Sequence, residues 1–143
     1  MAVTLRPAGR EDCQAVYELI CRLEDTRFPF DTFSTLYEEQ LVSERHICLL
    51  CEREGSVVGV LNLRMEGQLH HCGRVAEVME LVVSPACRGE GIGSQLLAEA
   101  CVLAREWGCV QIEVACNQLR KDTHRFYQRE GMTGTHFKFS KPL

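Results

Sequence analysis

Nowhere does this chain hold a run of about 18 consecutive apolar residues, the length that a membrane-spanning helix requires, so no helical membrane span is expected. The opening residues, MAVTLRPAGRED, lack the apolar core of a secretory signal, which points to a cytoplasmic protein. An excess of positive charge is missing too: 16 Lys and Arg stand against 20 Asp and Glu, a formal net charge of −4. Nonspecific nucleic-acid binding needs a cationic surface, so no nucleic-acid partner is expected, and an anionic ligand needs a locally basic site. There is no internal repeat, low-complexity tract or linker, and 143 residues suit one domain spanning 1–143.

Cysteine is plentiful, yet its pattern lacks what a disulfide or zinc framework needs. Cys13, Cys21, Cys48, Cys51, Cys72, Cys87, Cys101, Cys109 and Cys116 are scattered, odd in number and mostly inside apolar segments. They read as small core residues in a reducing compartment. The one Cys-x-x-Cys, Cys48 to Cys51, falls in a predicted strand, and no second ligand pair accompanies it.

Periodicity organises the rest. Val3 to Arg6 alternates as a first strand, and Cys13, Val16, Tyr17, Ile20 and Leu23 recur at helical spacing. Phe28 to Asp31 breaks that helix, and a second is expected over 32–43. Strands over 47–52 and 57–65, joined by the turn Glu54-Gly55-Ser56, predict an antiparallel hairpin. After a polar turn over 68–74, residues 75–83 read as the next strand. Ile92, Leu96, Leu97, Ala100, Leu103, Ala104 and Trp107 stripe one helix face, and Gly108 ends that helix. A strand over 110–114, a short helix over 120–130 closed by Gly131, and a last strand over 136–139 complete the pattern. The order is β-α-α-β-β-β-α-β-α-β, an α/β (α+β) arrangement with a mixed sheet flanked by helices.

The most informative stretch is the junction between the strand ending at Leu81-Val82-Val83 and the striped helix. Its turn reads Arg88-Gly89-Glu90-Gly91-Ile92-Gly93. Glycines at alternate positions leave backbone N–H groups uncovered, and the first helical turn adds unpaired donors and the positive end of its dipole. That combination suits a phosphate or pyrophosphate. A Walker loop needs Gly-Lys-Ser/Thr at its end, and a dinucleotide fingerprint needs a third glycine three residues after the second; neither is present.

Arg88-x-x-Gly91-x-Gly93 after an apolar strand resembles the acyl-CoA signature of the GCN5-related N-acetyltransferases, the GNAT superfamily. A second element, Phe126-Tyr127 four residues before Gly131, resembles their Asn-x-x-Ala-x-x-Phe-Tyr-x-x-x-Gly-Phe segment. The resemblance implies a GNAT fold, with acetyl-CoA as donor and its pyrophosphate at Arg88, Gly89, Glu90, Gly91, Ile92, Gly93 and Ser94. It also implies pantetheine pairing with the backbone of Leu81, Val82 and Val83, and Tyr127 as the acid that protonates the departing thiolate. The family's Asn falls on Arg120, its Ala on Thr123 and its final Phe on Met132; Asn117, three residues earlier, is the candidate to take over the Asn contacts.

Acetyl transfer to an amine also needs a base, because an alkylamine is almost fully protonated at pH 7. Glu77 and Glu80, in an apolar strand, are the candidates, Glu80 first, since a carboxylate there is costly without a role or partner. Strand alternation puts the two on opposite faces unless a bulge intervenes, and the family's strand commonly bulges.

Several stretches are similar to one subgroup, the aminoalkylphosphonate N-acetyltransferases: Leu5-Arg-Pro-Ala8, Leu69-His-His71, Glu80-Leu-Val-Val83, His124-Arg-Phe-Tyr127 and His136-Phe-x-Phe139. This implies acetylation of small aminoalkylphosphonates by direct transfer in a ternary complex, with a divalent metal that enhances activity. His70, His71 and His124 are the substrate-binding candidates, and His71 is the metal candidate. The partner expected is a small-molecule amine, with a homodimer left open. Another amine acceptor, such as a polyamine, drug or peptide N-terminus, and a non-catalytic acyl-CoA sensor are the alternatives.

Overall fold

Five segments pair into one mixed sheet whose spatial order follows the sequence: β1 (Thr4–Pro7), β2 (His46–Arg53), β3 (Ser56–Gln68), β4 (Gly73–Val83) and β5 (Cys109–Val114). Among the described residues four α-helices accompany them: α1 (Cys13–Glu24), α2 (Phe30–Leu41), α3 (Ile92–Glu106) and α4 (Lys121–Arg129). The computed structural model describes residues 2–143. They fall into two units, one ending at Glu113 and the other running Val114–Leu143.

In the first unit β1 to β4 form an antiparallel meander. The predicted hairpin forms between β2 and β3, and its turn uses left-handed backbone at Glu54 and Gly55. Residues 58–63 are buried on both sheet faces because helices cover both. Val60 joins Val16, Leu19, Ile20, Tyr37, Leu50 and Val82 in a core beneath α1 and α2. Gly59, one position along and so on the opposite face, lies against α3, where an added Cβ would come within 3.1 Å of Ile92 Cγ2 and Leu96 Cδ1. The expected stripe of α3 is largely buried, with Ile92, Leu96, Leu97, Ala100 and Ala104 inside.

One buried carboxylate pins β1 to the start of α1. Asp12 accepts two hydrogen bonds from Arg6, both at 2.8 Å, and one from the Gly9 N–H at 2.8 Å. The Arg6 guanidinium holds Asp12 below its usual carboxylate range, against the opposing effect of burial. Helix α2 starts at Phe30, two residues before the sequence expectation, because Pro29 is extended and its carbonyl accepts the Phe33 N–H.

The second unit contains α4, which the sequence anticipated, but no strand over 136–139. Residues 132–143 lie in no helix or strand. Phe137 and Phe139 are 84% and 92% exposed, so no neighbouring layer rewards their alternation. An alternating pattern becomes a strand only where an edge pairs its backbone and a face buries its side chains.

Candidate active site

The glycine turn takes the shape its sequence implies. A 3₁₀ turn, Pro85–Cys87, ends β4, and the chain reaches α3 through left-handed backbone at Gly89 (φ 81°) and Gly91 (φ 80°). Gly91 caps α3, and the Ile92 and Gly93 N–H groups precede any intrahelical acceptor. Nothing lies within 4 Å of a Cβ built on Gly89 or Gly91, so their backbone is open to an approaching group. Arg88 and Glu90 are exposed. Arg53, which no sequence motif singles out, braces this turn: it donates to Glu90 Oε1 at 2.6 Å and to Cys87 Sγ at 2.7 Å.

Strand β4 carries the bulge that alternation alone does not reveal. Asn62 pairs with Glu80 and Leu63 with Val78, so Met79 is an extra residue without a partner in β3. Because Asn62 and Arg64 share a face of β3, their partners Glu80 and Glu77 share a face of β4, where unbroken alternation would have separated them. The two carboxylates then differ in surroundings. Glu77 accepts a hydrogen bond from Arg64 at 2.9 Å. Glu80 has only the Asn62 amide, 3.5 Å from Oε1, and its buried Oε2 has no partner. Burial pushes the Glu80 carboxyl above its ordinary range, against the lowering by Asn62.

Glu80 lines a cavity of about 440 Å³ between the sheet and the helices α1 and α2. Its sheet wall carries Asn62, Cys48, His46 and Glu80, with Gln40 entering from α2 and accepting from Asn62 Nδ2 at 2.9 Å. The opposite wall is mostly apolar, with Thr32 and Tyr37 among Ile20, Phe28, Phe33, Leu36 and Leu41. Burial raises the Cys48 thiol to about 12 and lowers the His46 imidazole, which Arg64 lowers further. Gln40, His46, Cys48 and Asn62 are not site candidates on sequence grounds. Asn62 did carry a signal, as a lone amide inside the apolar run 57–63.

In the second unit Tyr127 lies on α4, buried, with its ring edge-on to Phe126 at 5.1 Å between centroids. Burial raises its phenol to about 12. Asn117 Oδ1 accepts the Leu119 N–H at 2.8 Å, which commits that side-chain oxygen to the turn before α4. His124 Nε2 lies 2.8 Å from the Asn117 carbonyl oxygen.

His70 and His71 occupy a 3₁₀ turn, Leu69–His71, with ring centroids 4.3 Å apart; neither lines the cavity. His71 Nδ1 lies 2.7 Å from Gln68 Oε1, and Nε2 is 4.0 Å from Glu113 Oε2. Among the described residues no group of three His, Cys, Asp or Glu side chains is placed to hold a metal ion. The donor set around His71 therefore does not fit a divalent cation, which takes more ligands than one imidazole and one distant carboxylate. Leu81, Val82 and Val83 pair with Leu61, Val60 and Gly59 of β3 at the end of β4 that leads into the glycine turn. Ser94 follows in the first turn of α3.

The model of the acetyltransferase (GNAT) family matches residues 13–132. Over 139 residues the chain is 42% identical to the aminoalkylphosphonate N-acetyltransferase of Salmonella typhimurium, covering 97% of this chain and 90% of that protein. A crystal structure titled as a transcriptional regulator from Bacillus halodurans shares the fold with a TM-score of 0.92 at 23% identity, covering 99% of this chain and all of that one. An aminoglycoside N-acetyltransferase in complex with CoA shares it with a TM-score of 0.89 at 16% identity, covering 99% of this chain and 95% of that one.

Proposed function

Because the chain belongs to the acetyltransferase (GNAT) family, we propose that it moves the acetyl group of acetyl-CoA directly to the amino group of small aminoalkylphosphonates. The observation that carries the transfer chemistry is Glu80, whose Oε2 is buried without a partner in the wall of a cavity. The 42% identity to the Salmonella enzyme supports the acceptor class. The family match across both units supports treating 1–143 as one catalytic domain.

Glu80 acts as the base in this reading. Its raised carboxyl range brings it nearer to neutrality, where a base removes an ammonium proton most effectively. Glu77 is the weaker candidate because Arg64 already engages it. The freed amine attacks the thioester carbonyl; the C–N bond forms, the C–S bond breaks, the departing thiolate takes a proton from Tyr127, and the second proton released by the acylated nitrogen restores the phenol. The Tyr127 phenol, raised by burial to about 12, carries its proton at neutral pH, as it would at its ordinary value near 10. The pyrophosphate of the donor meets the backbone of 88–94, with Arg88 as its cation and Ser94 as a further donor, and the pantetheine amides pair with Leu81 to Val83.

Direct transfer is supported by the state of Cys48, the thiol in the cavity wall. With its pKa raised to about 12 it stays a protonated thiol at neutral pH and is a poor nucleophile for an acetyl-cysteine intermediate. For the phosphonate, Arg64, on the same sheet face as Glu80 but outside the cavity lining, supplies a guanidinium, so the anion is read as lying at the cavity's edge and not within it. His70, His71 and His124 remain candidates for contacts outside the cavity.

Release of CoA thiol with aminomethylphosphonate and 2-aminoethylphosphonate tests the reading. Thiol release matched by N-acetyl product, with initial-rate lines that intersect, is the expected result. Parallel lines indicate an acetyl-enzyme and overturn direct transfer. Absence of thiol release with every phosphonate overturns the acceptor class.

A further inference from the structure

The cavity beside Glu80 is chemically lopsided. Ile20, Phe28, Phe33, Leu36, Leu41 and Ile47 dominate its lining, while the hydrogen-bonded polar cluster is Glu80, Asn62 and Gln40, with Thr32, Tyr37, His46 and Cys48 as further polar side chains. No arginine or lysine lines it, and its one imidazole, His46, is driven toward the neutral form by burial. A phosphonate dianion taken into such a space would lose its hydration without a counter-ion, next to a carboxylate. The volume points the same way: about 440 Å³ lies within the range of roughly 300–1,000 Å³ for pockets that hold drug-sized ligands, far more than the carbon skeleton of aminomethylphosphonate fills.

We infer that the cavity seats an aryl or branched alkyl substituent of the acceptor, so that the protein also acetylates phosphonate-free apolar primary amines of the aralkyl type. The ammonium nitrogen meets Glu80, the one anionic group of the lining, and the substituent covers the apolar wall. Chemistry is unchanged: the ammonium gives one proton to Glu80, its nitrogen takes the acetyl group and releases a second proton that restores Tyr127, and CoA leaves as the thiol protonated by that residue. The inference rests on the acetyltransferase reading and is independent of the phosphonate assignment.

The test is thiol release along the series ethylamine, isobutylamine, 3-methylbutylamine and 2-phenylethylamine, with aminomethylphosphonate in parallel. Each methylene buried against the wall raises kcat/KM by about three- to fourfold until the cavity is filled. The gain appears mainly in KM, because the substituent binds equally in ground and transition states. Leu36, half exposed on the wall, allows a polar replacement without burying it in the core. Leu36→Asp raises KM for 2-phenylethylamine by about tenfold with kcat little changed. A flat or falling series while aminomethylphosphonate is acetylated overturns this inference and leaves the proposed function standing. An unchanged KM in Leu36→Asp overturns the seating of the substituent. Failure of every amine, phosphonates included, overturns both readings.

Discussion

Asn62 and Glu80 are register partners across β3 and β4, and the Asn62 amide reaches two acceptors, Gln40 Oε1 at 2.9 Å and Glu80 Oε1 at 3.5 Å. The short bond to Gln40 fixes the amide orientation, so that its N–H groups, not its oxygen, face the carboxylate. Asn62 thereby tempers a carboxyl that burial drives upward. Asn62, oriented by Gln40, thus opposes burial and the charge of Glu24, both of which push the Glu80 carboxyl up.

Replacing Asn62 with Leu removes the lowering contribution and sends the Glu80 carboxyl higher. The rate, which needs ionised Glu80, is then lost at a higher pH as acid is added, and recovers at alkaline pH. A kcat/KM profile compared between wild type and Asn62→Leu measures this displacement. Coincident acidic limbs would show that Asn62 only packs.

With Glu80 as the proposed base, Glu80→Gln removes it while keeping shape and hydrogen-bonding capacity. Turnover falls by about 10²-fold or more, the usual scale of a lost general base, and the acidic limb flattens. Glu77→Gln costs less, since Glu77 is held by Arg64. Steady-state kinetics of the two variants rank the carboxylates, and a larger loss from Glu77→Gln would reverse the assignment.

The same substitution has an opposite effect on stability. A carboxyl whose folded-state pKa exceeds its unfolded value binds its proton more tightly when folded, so stability falls as pH rises from the unfolded pKa through the folded one. Glu80→Gln escapes that loss. Its thermal midpoint at neutral pH is expected to equal or exceed that of wild type, with the difference vanishing below the ordinary carboxylate range. A variant clearly less stable at pH 7 would mean that ionised Glu80 is compensated in the fold.

Gly91 sits at φ 80°, where a β-branched side chain is strained by at least about 1–2 kcal/mol and would stand over the open backbone. Gly91→Val is therefore expected to weaken acetyl-CoA binding by about tenfold or more, which calorimetry reads directly. Equal affinity in the two proteins would remove the turn from the donor site.

Tyr127→Phe retains the ring packing against Phe126 and removes only the hydroxyl. Stability should hardly move while turnover drops by about 10²-fold. Because the phenol titrates near 12, the wild-type enzyme keeps this proton donor across the neutral range, so an alkaline limb well below 12 belongs to another group. Full turnover in a folded Tyr127→Phe protein would return the residue to packing.

Local features are legible in the order of residues alone. The glycines of the turn, the stripe of α3 and its ending at Gly108 follow from backbone sterics and helical period, which act over a few residues. The strand expected over 136–139 failed by the same standard, since alternation specifies a strand only when something pairs and covers it, and Phe137 and Phe139 stand exposed.

The sequence by itself determined the element order through α4, the glycine turn and the family, because each is written in contiguous residues with a short-range physical cause. Glu80 already stood ahead of Glu77 on sequence grounds, but only the tertiary structure decided the surroundings that tell the two carboxylates apart. The bulge at Met79 turned Glu80 and Glu77 to one face, Arg64 claimed Glu77, and burial under α1 and α2 left Glu80 Oε2 unpartnered. It also decided the character of the cavity beside Glu80, whose walls come from residues 7 to 80. Pairing register and burial depend on partners distant in the chain, and no local periodicity encodes them.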